Sequence, residues 1–161
     1  MGPFGPEVSR RVTGWVGQVF RGQFEHSIDA KGRLSIPAKF REVLQAKASG
    51  RVVVTSFDHC AYAYAVPDFD ELQKNLSAQK QTDIQRAFMR RFIGGAHECD
   101  LDNTGRIVLP PQIRTYAGIV RDTMLVGVGK RFEIWALDRF KAEDDKNEKL
   151  VDANRDFVPD I

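Results

Sequence analysis

Cysteine is almost absent from this chain: Cys60 and Cys99 are the only two in 161 residues. Two thiols cannot build the disulfide framework on which small secreted domains depend, so a reducing cytoplasm is the expected setting. Histidine is nearly as sparse, with His26, His59 and His97. No C-x-x-C pair and no H-E-x-x-H occurs, so the close ligand pairs of a zinc site are missing. His26 and Cys99 fall on strand positions where packing accounts for them, and neither a metal nor a cofactor is expected. No apolar run approaches the ~20 residues of a membrane span. The start, Met-Gly-Pro-Phe-Gly-Pro, lacks the basic segment and continuous apolar stretch of a secretory signal. Catalytic signatures are missing as well. Ser35 stands outside any G-x-S-x-G elbow, and no glycine-rich phosphate loop ends in Lys-Ser or Lys-Thr. Asp100 to Gly105 matches the first half of a calcium loop, but its twelfth position is Pro111 instead of the bidentate Glu. Neither an enzyme nor a small-molecule substrate is expected.

A one-sided charge is lacking too, since 24 Lys and Arg face 22 Asp and Glu. The distribution is less even than the total. From Asp138 to Ile161 five bases meet eight acids, a net of −3, which leaves 19 against 14, or +5, for the rest. A basic body with an acidic end is compatible with phosphate binding without demanding it.

What is present is punctuation. Residues 1–18 are rich in Gly and Pro without a period and read as a disordered extension. Phe20, Gly22, Phe24, His26 and Ile28 alternate with polar residues, which predicts a strand over Phe20 to Ile28. A turn at Asp29 to Gly32 follows, then a short strand through Leu34 and Ile36. Pro37 opens a helix to about Lys47 with Phe40, Val43 and Leu44 inward. Arg51 to Thr55 and Cys60 to Val66 read as strands joined at Phe57-Asp58-His59. A helix after Pro67 carries the stripe Phe69, Leu72 and Leu76. Another starts at Thr82, with Gln85 completing a capping box and Ile84, Phe88 and Phe92 on one side. Its late Arg86, Arg90 and Arg91 suit the negative end of a helix and need no partner. His97 to Leu101 and Arg106 to Leu109 are strands around a second turn, and Pro110-Pro111 opens a helix. Met124 to Val128 and Arg131 to Leu137 are strands joined at Gly129-Lys130, and a charged helix runs from Asp138 to about Val151.

Asp29-Ala30-Lys31-Gly32-Arg33-Leu34-Ser35-Ile36-Pro37 returns as Asp102-Asn103-Thr104-Gly105-Arg106-Ile107-Val108-Leu109-Pro110. The offset is constant, 73 residues from Asp29 to Asp102. Asp, Gly, Arg, Pro and, at Arg41/Arg114, a second Arg are identical, where chance would give about one identity. Glu25/Glu98 extends the match upstream, and Tyr64-Ala65-Val66 resembles Trp135-Ala136-Leu137 near the end of each half. This is an internal duplication. Halves of about 45 residues are barely large enough for a core, so they are expected to intertwine and complete each other's sheet. Leftover strand edges are expected to be closed by further copies of the chain. A repeated Arg on a repeated loop suits a repeated partner such as a phosphate backbone.

The duplicated D-x-x-G-R, together with Phe20-Arg21-Gly22 upstream, resembles the MraZ family of bacterial transcriptional regulators, and each half is similar to an AbrB-type DNA-binding domain. The resemblance covers roughly Phe20 to Asp138. It implies a mainly β fold with short helices, in which two AbrB-like half-repeats form a double-split, swapped-hairpin β-barrel. The implied organisation is a first repeat over 20–69, a helical spacer over 70–94, a second repeat over 95–138, and a charged C-terminal helix and tail over 139–161. It further implies a homo-oligomeric ring, associated with the nucleoid, on direct repeats of double-stranded DNA upstream of a division and cell-wall gene cluster. Arg33 and Arg106 take the place of the family's DNA-contacting loop arginine, with Lys31 beside the first. Asp29, Gly32, Asp102 and Gly105 shape the loops, since a carboxylate facing phosphate is repulsive. Lys39, Arg41 and Arg114 are candidate phosphate contacts, equally open to ion pairs within the fold. The rival reading is an oligomerisation scaffold that binds no DNA.

Family members tend to begin Met-Phe-x-Gly, whereas here Val19-Phe20-Arg21-Gly22 lies 18 residues in. The resemblance implies that Val19 is the initiator, decoded as Met from a valine-type start codon. Intact mass of the protein from its own host should then correspond to a chain starting at residue 19; a mass that includes Met1 to Gln18 would refute it.

Overall fold

A computed structural model describes residues 19–161, and the extension expected over residues 1–18 lies outside the described residues. The chain forms eight strands and five helices over this span. The first half comprises β1 (Phe20–Ser27), β2 (Arg33–Ser35), α1 (Ala38–Ala48), β3 (Arg51–Phe57) and β4 (Cys60–Ala65). Helices α2 (Val66–Ser77) and α3 (Asp83–Phe92) follow. The second half comprises β5 (His97–Asp100), β6 (Arg106–Val108), α4 (Pro111–Ala117), β7 (Asp122–Gly129) and β8 (Arg131–Ala136), and α5 (Leu137–Ala153) ends in a 3-10 turn at Arg155–Phe157. Among the described residues no helix is long and apolar enough to cross a membrane.

The two halves are interleaved, not placed side by side. The strand order β1-β7-β8-β4-β3-β5 pairs each half's first strand with the other half's hairpin. Thus β1 runs antiparallel to β7 and β5 to β3, while β4 and β8 join the hairpins at the centre. The short strands β2 and β6 pair with each other as a separate ribbon. The order reads the same from both ends because the halves are related by a pseudo-twofold axis. It passes through the pair Leu34↔Ile107 in the ribbon and Tyr62↔Glu133 in the sheet.

The expected mainly β fold of two repeated halves is therefore what the chain adopts, with one difference in closure. The six-stranded sheet is not closed by hydrogen bonds, and β1 and β5 each keep a free edge. Ribbon β2–β6 lies against both of these strands. Leu34 and Ile107 spend their inward side chains on the core, and only the single bridge Ile28↔Leu34 links the ribbon to the edge of β1. Packing thus spans the gap where a ladder would have closed the barrel.

Strand β4 is buried on both faces, as a central strand covered twice must be. Toward the ribbon, small residues meet large ones across the β4–β8 pair, Ala61 opposite Ile134 and Ala63 opposite Phe132. Phe132 fills the space this leaves and meets Phe20 at 5.0 Å and Phe40 at 4.9 Å between ring centroids. On the opposite face Tyr62 and Tyr64 receive α2 and α3 through Phe69 and Phe92, which stack at 5.9 Å. Such offset and edge contacts add to the area that each ring buries.

Helix starts follow their local signals. Pro37 and Pro110 precede α1 and α4, and Thr82 accepts the Gln85 amide at 3.1 Å. The reciprocal half of that capping box is not made. The Gln85 side chain donates instead to the Leu76 carbonyl at 2.7 Å, one of the last carbonyls of α2. This contact sets the phase of α3: Gln85, Phe88 and Phe92 turn inward, and Ile84, expected on the packed side, is 82% exposed.

Phe132→Ala should destabilise the fold by about 3–5 kcal/mol, because neither half can close over the vacated centre alone. Urea unfolding monitored by circular dichroism measures it; a change within experimental error would show that the two halves carry separate cores.

Candidate nucleic-acid interface

Two copies of one loop flank the ribbon. In the first, Asp29 Oδ1 accepts the amides of Lys31 and Arg33, both at 2.9 Å, and Oδ2 accepts Arg33 Nε at 2.6 Å. In the second, Asp102 Oδ1 accepts the amides of Thr104 and Arg106 and the Thr104 hydroxyl, all at 2.9 Å. Asp102 Oδ2 accepts Arg106 Nε at 3.1 Å. The backbone repeats as well: Gly32 N–H donates to Asp29 O and Gly105 N–H to Asp102 O, each at 3.0 Å. A short carboxylate that collects several N–H groups is the standard way for Asp to fix a turn. Here it also fixes the arginine that leaves the turn.

Gly32 and Gly105 are required for two reasons. Their φ values, +82° and +78°, lie in the left-handed region that favours glycine. The space beside them is also occupied, so a side chain would have to push an arginine aside. A Cβ on Gly32 would approach Arg114 Cζ to 3.0 Å, and one on Gly105 would approach Arg41 Cδ to 2.6 Å. Each arginine belongs to the half opposite the loop it supports. Arg114 is held by its Nε donating to Leu109 O at 3.0 Å. Arg41 Nε is buried without a hydrogen-bond partner among the described residues. Both side chains therefore lie against the loop glycines, and neither forms an ion pair with Asp or Glu among the described residues. Lys39 and Lys31 are exposed, on α1 and on the first loop.

The loops are locked to each other through the ribbon. Leu109 N–H donates to Gly32 O at 2.8 Å, and Ile36 N–H donates to Gly105 O at 2.9 Å. Between these bonds, Arg33 pairs with Val108 and Ser35 with Arg106. Directly opposed residues in a sheet project to the same face, so these four side chains share the outer face while Leu34 and Ile107 are buried beneath. Arg33 and Arg106 are thus brought together diagonally on one exposed surface. Among the described residues only Nε of each is hydrogen-bonded, to its own loop carboxylate, and the terminal nitrogens of the guanidinium keep their donors for another partner. Ser35 and Val108 complete this face, and Val108 is 56% exposed although apolar. The alternation Arg33-Leu34-Ser35 and Arg106-Ile107-Val108 was the available signal for both, but three-residue strands make a weak period. Among the described residues no group of three His, Cys, Asp or Glu side chains converges as a metal site would need.

The Arg106 amide is the largest cause that holds the Asp102 carboxyl down, with Thr104 adding its hydroxyl and amide, and the pKa falls from 3.8 to about 2. The Arg33 amide likewise lowers Asp29. Both carboxylates are charged at neutral pH and both are spent on their own loops.

A family model described as MraZ protein matches this chain twice in succession, over residues 19–91 and 92–156. A protein named Transcriptional regulator MraZ from Syntrophobacter fumaroxidans is 45% identical over 117 residues, which cover 72% of this chain and 78% of that one. Its namesake from Pelotomaculum thermopropionicum is 40% identical over 146 residues, 84% of this chain and 98% of the other. The one from Nitratidesulfovibrio vulgaris is 39% identical over 146 residues, 86% and 98% respectively.

A carboxyl whose folded pKa is depressed stabilises the fold fully above its ordinary pKa and loses that contribution as pH falls through the folded value. For Asp102 the window runs from 3.8 down to about 2. Its carboxyl carbon resonance should therefore titrate with a midpoint near 2, with the amide signals of Thr104 and Arg106 shifting in the same window. A midpoint near 3.8 would mean that this carboxylate does not hold the loop.

Proposed function

Because the chain belongs to the MraZ family, we propose that it is a transcriptional regulator that binds double-stranded DNA by setting ribbon β2–β6 into the major groove. The observation that carries this reading is the common outward face of Arg33 and Arg106 on a two-stranded ribbon. A major groove about 12 Å wide admits such a ribbon, and an arginine reaching a base edge can bond guanine O6 and N7 with two nitrogens at once. The loop carboxylates contribute by direction. With Nε already engaged, each guanidinium is aimed before DNA arrives, so less side-chain freedom is lost on binding. Lys31 and Lys39 serve phosphates beside the groove. Arg41 and Arg114 act from behind, wedged against Gly105 and Gly32 to hold the loops at their height.

Two arginines and a few flanking lysines make a weak single contact. Free edges on β1 and β5 give the protomer places to join further copies. A ring of such protomers presents many ribbons to DNA, and tandem direct repeats let the later contacts form at high effective concentration. The proposed targets are direct repeats upstream of the division and cell-wall genes, which places the protein in the cytoplasm on the nucleoid. The acidic α5 and tail are then disposed away from the phosphates that would repel them.

Arg33→Ala combined with Arg106→Ala should abolish retention of a promoter fragment in a gel-shift assay while the oligomer keeps its size. Wild-type affinity should fall steeply with salt, at about 0.9 log units per log unit of salt for each phosphate neutralised. A double variant that assembles normally and still binds the fragment would refute the assignment.

A further inference from the structure

We propose that the reading surface has a built-in polarity, set by three places on the ribbon and its loops at which the two halves differ: Ala30 against Asn103, Lys31 against Thr104 and Ser35 against Val108, with Lys39 against Gln112 a further difference on the helices beside them. The inference rests on the DNA-binding reading above and goes beyond it, to how one protomer is oriented on the duplex.

The framework of the surface is symmetric to a degree that would otherwise leave orientation undetermined. Both loops carry the same Asp-centred hydrogen bonds, both glycines the same backbone conformation, and the pseudo-twofold axis passes between Leu34 and Ile107. Rotation about that axis exchanges Arg33 with Arg106. The sugar-phosphate backbones of B-DNA are themselves related by twofold axes, and phosphate contacts carry no sequence information. A face made of the two arginines alone would therefore bind equally well either way round.

The three differences remove that degeneracy, and each changes the chemistry presented. At the tip of the second loop Asn103 is exposed, and its side-chain amide makes no hydrogen bond among the described residues. It offers a donor and an acceptor together, the pattern that matches adenine N6 and N7 in the major groove. Ala30, at the equivalent tip, offers only a methyl group. One residue on, Lys31 presents an exposed ammonium suited to phosphate, whereas the Thr104 hydroxyl is consumed by Asp102 Oδ1 at 2.9 Å. On the ribbon itself, Ser35 is polar, and Val108 is an exposed apolar group of the kind that meets a thymine methyl. Because Val108 lies opposite Arg33 and Ser35 opposite Arg106, the end of the surface at the first loop carries Lys31 and the apolar Val108, and the end at the second loop carries Asn103 and the hydroxyl of Ser35. A head with two unlike ends selects a sequence that differs from its own reverse complement. Repeated around an assembly with every head facing the same way, it selects direct repeats over inverted ones.

The experiment is a binding selection from a pool of random-sequence duplexes, followed by sequencing of the bound fraction. It compares the full chain with two variants that equalise the ends. Ala30→Asn/Lys31→Thr/Ser35→Val copies the second half onto the first, and Asn103→Ala/Thr104→Lys/Val108→Ser copies the first onto the second. Each variant uses residues the same backbone already carries at the equivalent position, so if one fails to fold the other still decides. The wild type should enrich a repeated element that differs from its reverse complement, with a preference of about 5-fold or more over the same element with its ends exchanged. Either equalised variant should enrich an element much closer to its own reverse complement. Lys31→Thr should also lower the salt slope by about one. Retention of the wild-type asymmetric element by a folded equalised variant would overturn the polarity assignment, as would a palindromic element for the wild type. Enrichment of nothing by the wild type would instead overturn the DNA-binding reading itself.

Discussion

The structure depends on an exchange of backbone hydrogen bonds between its two halves. Gly32 O receives the Leu109 amide, Gly105 O receives the Ile36 amide, and Leu34 and Ile107 sit between these bonds with their side chains in the core. Neither half holds all the partners that its own turn needs. The same is true of the long strands, since β1 finds its ladder on β7 and β5 finds its ladder on β3. Buried backbone groups without partners are costly, so each half commits the other to fold. The rigidity of the loops follows from this. They are anchored across the molecule as well as locally.

Much of this was legible in the sequence, because the governing signals are local. Proline at a helix start, glycine at a left-handed turn, and alternation over eight residues of β1 all act within a few residues of where they are read. The duplication was equally visible, since an Asp-centred turn leaves the same four or five residue types behind wherever it is used. What failed to show was anything decided by a contact between elements. Arg41 and Arg114 stand in the sequence as cations on helices, equally open to phosphates and to ion pairs within the fold, and only the fold sets each against the glycine of the opposite loop. Ile84 seemed to belong to an apolar stripe, but Gln85 won the inward position through one bond to the Leu76 carbonyl. Val108 is apolar and solvent-facing because its register partner is Arg33, which no local pattern announces.

The separation of roles in the loops has an electrostatic logic. A carboxylate beside each arginine would seem to cancel the charge that a nucleic-acid reader needs. The geometry avoids much of that loss. Asp29 and Asp102 direct their oxygens at amides and at Nε, and the remaining guanidinium nitrogens make no hydrogen bond among the described residues. The carboxylates therefore set direction at the cost of some attraction. An arginine without such a partner would carry more net charge but would sample many rotamers.

The centre of the sheet has a consequence of a different kind. A residue on a true twofold axis faces its own copy, so a dimer of identical halves could place only like against like at that point. In this chain the axis passes through Tyr62 and Glu133, and the two are not alike. Glu133 accepts Arg131 Nε at 3.0 Å and Nη2 at 2.7 Å, and it also accepts Trp135 Nε1 at 3.0 Å. The Arg131 guanidinium in turn lies 4.0 Å from the centre of the Tyr62 ring. Two glutamates at that point would repel, and two tyrosines would leave the arginine uncompensated. Covalent fusion of the halves is what permits this arrangement, because only a fused gene can mutate one side of the axis and leave the other alone. The seam between the repeats is thus a place where a single chain can hold a structure forbidden to its own symmetric ancestor.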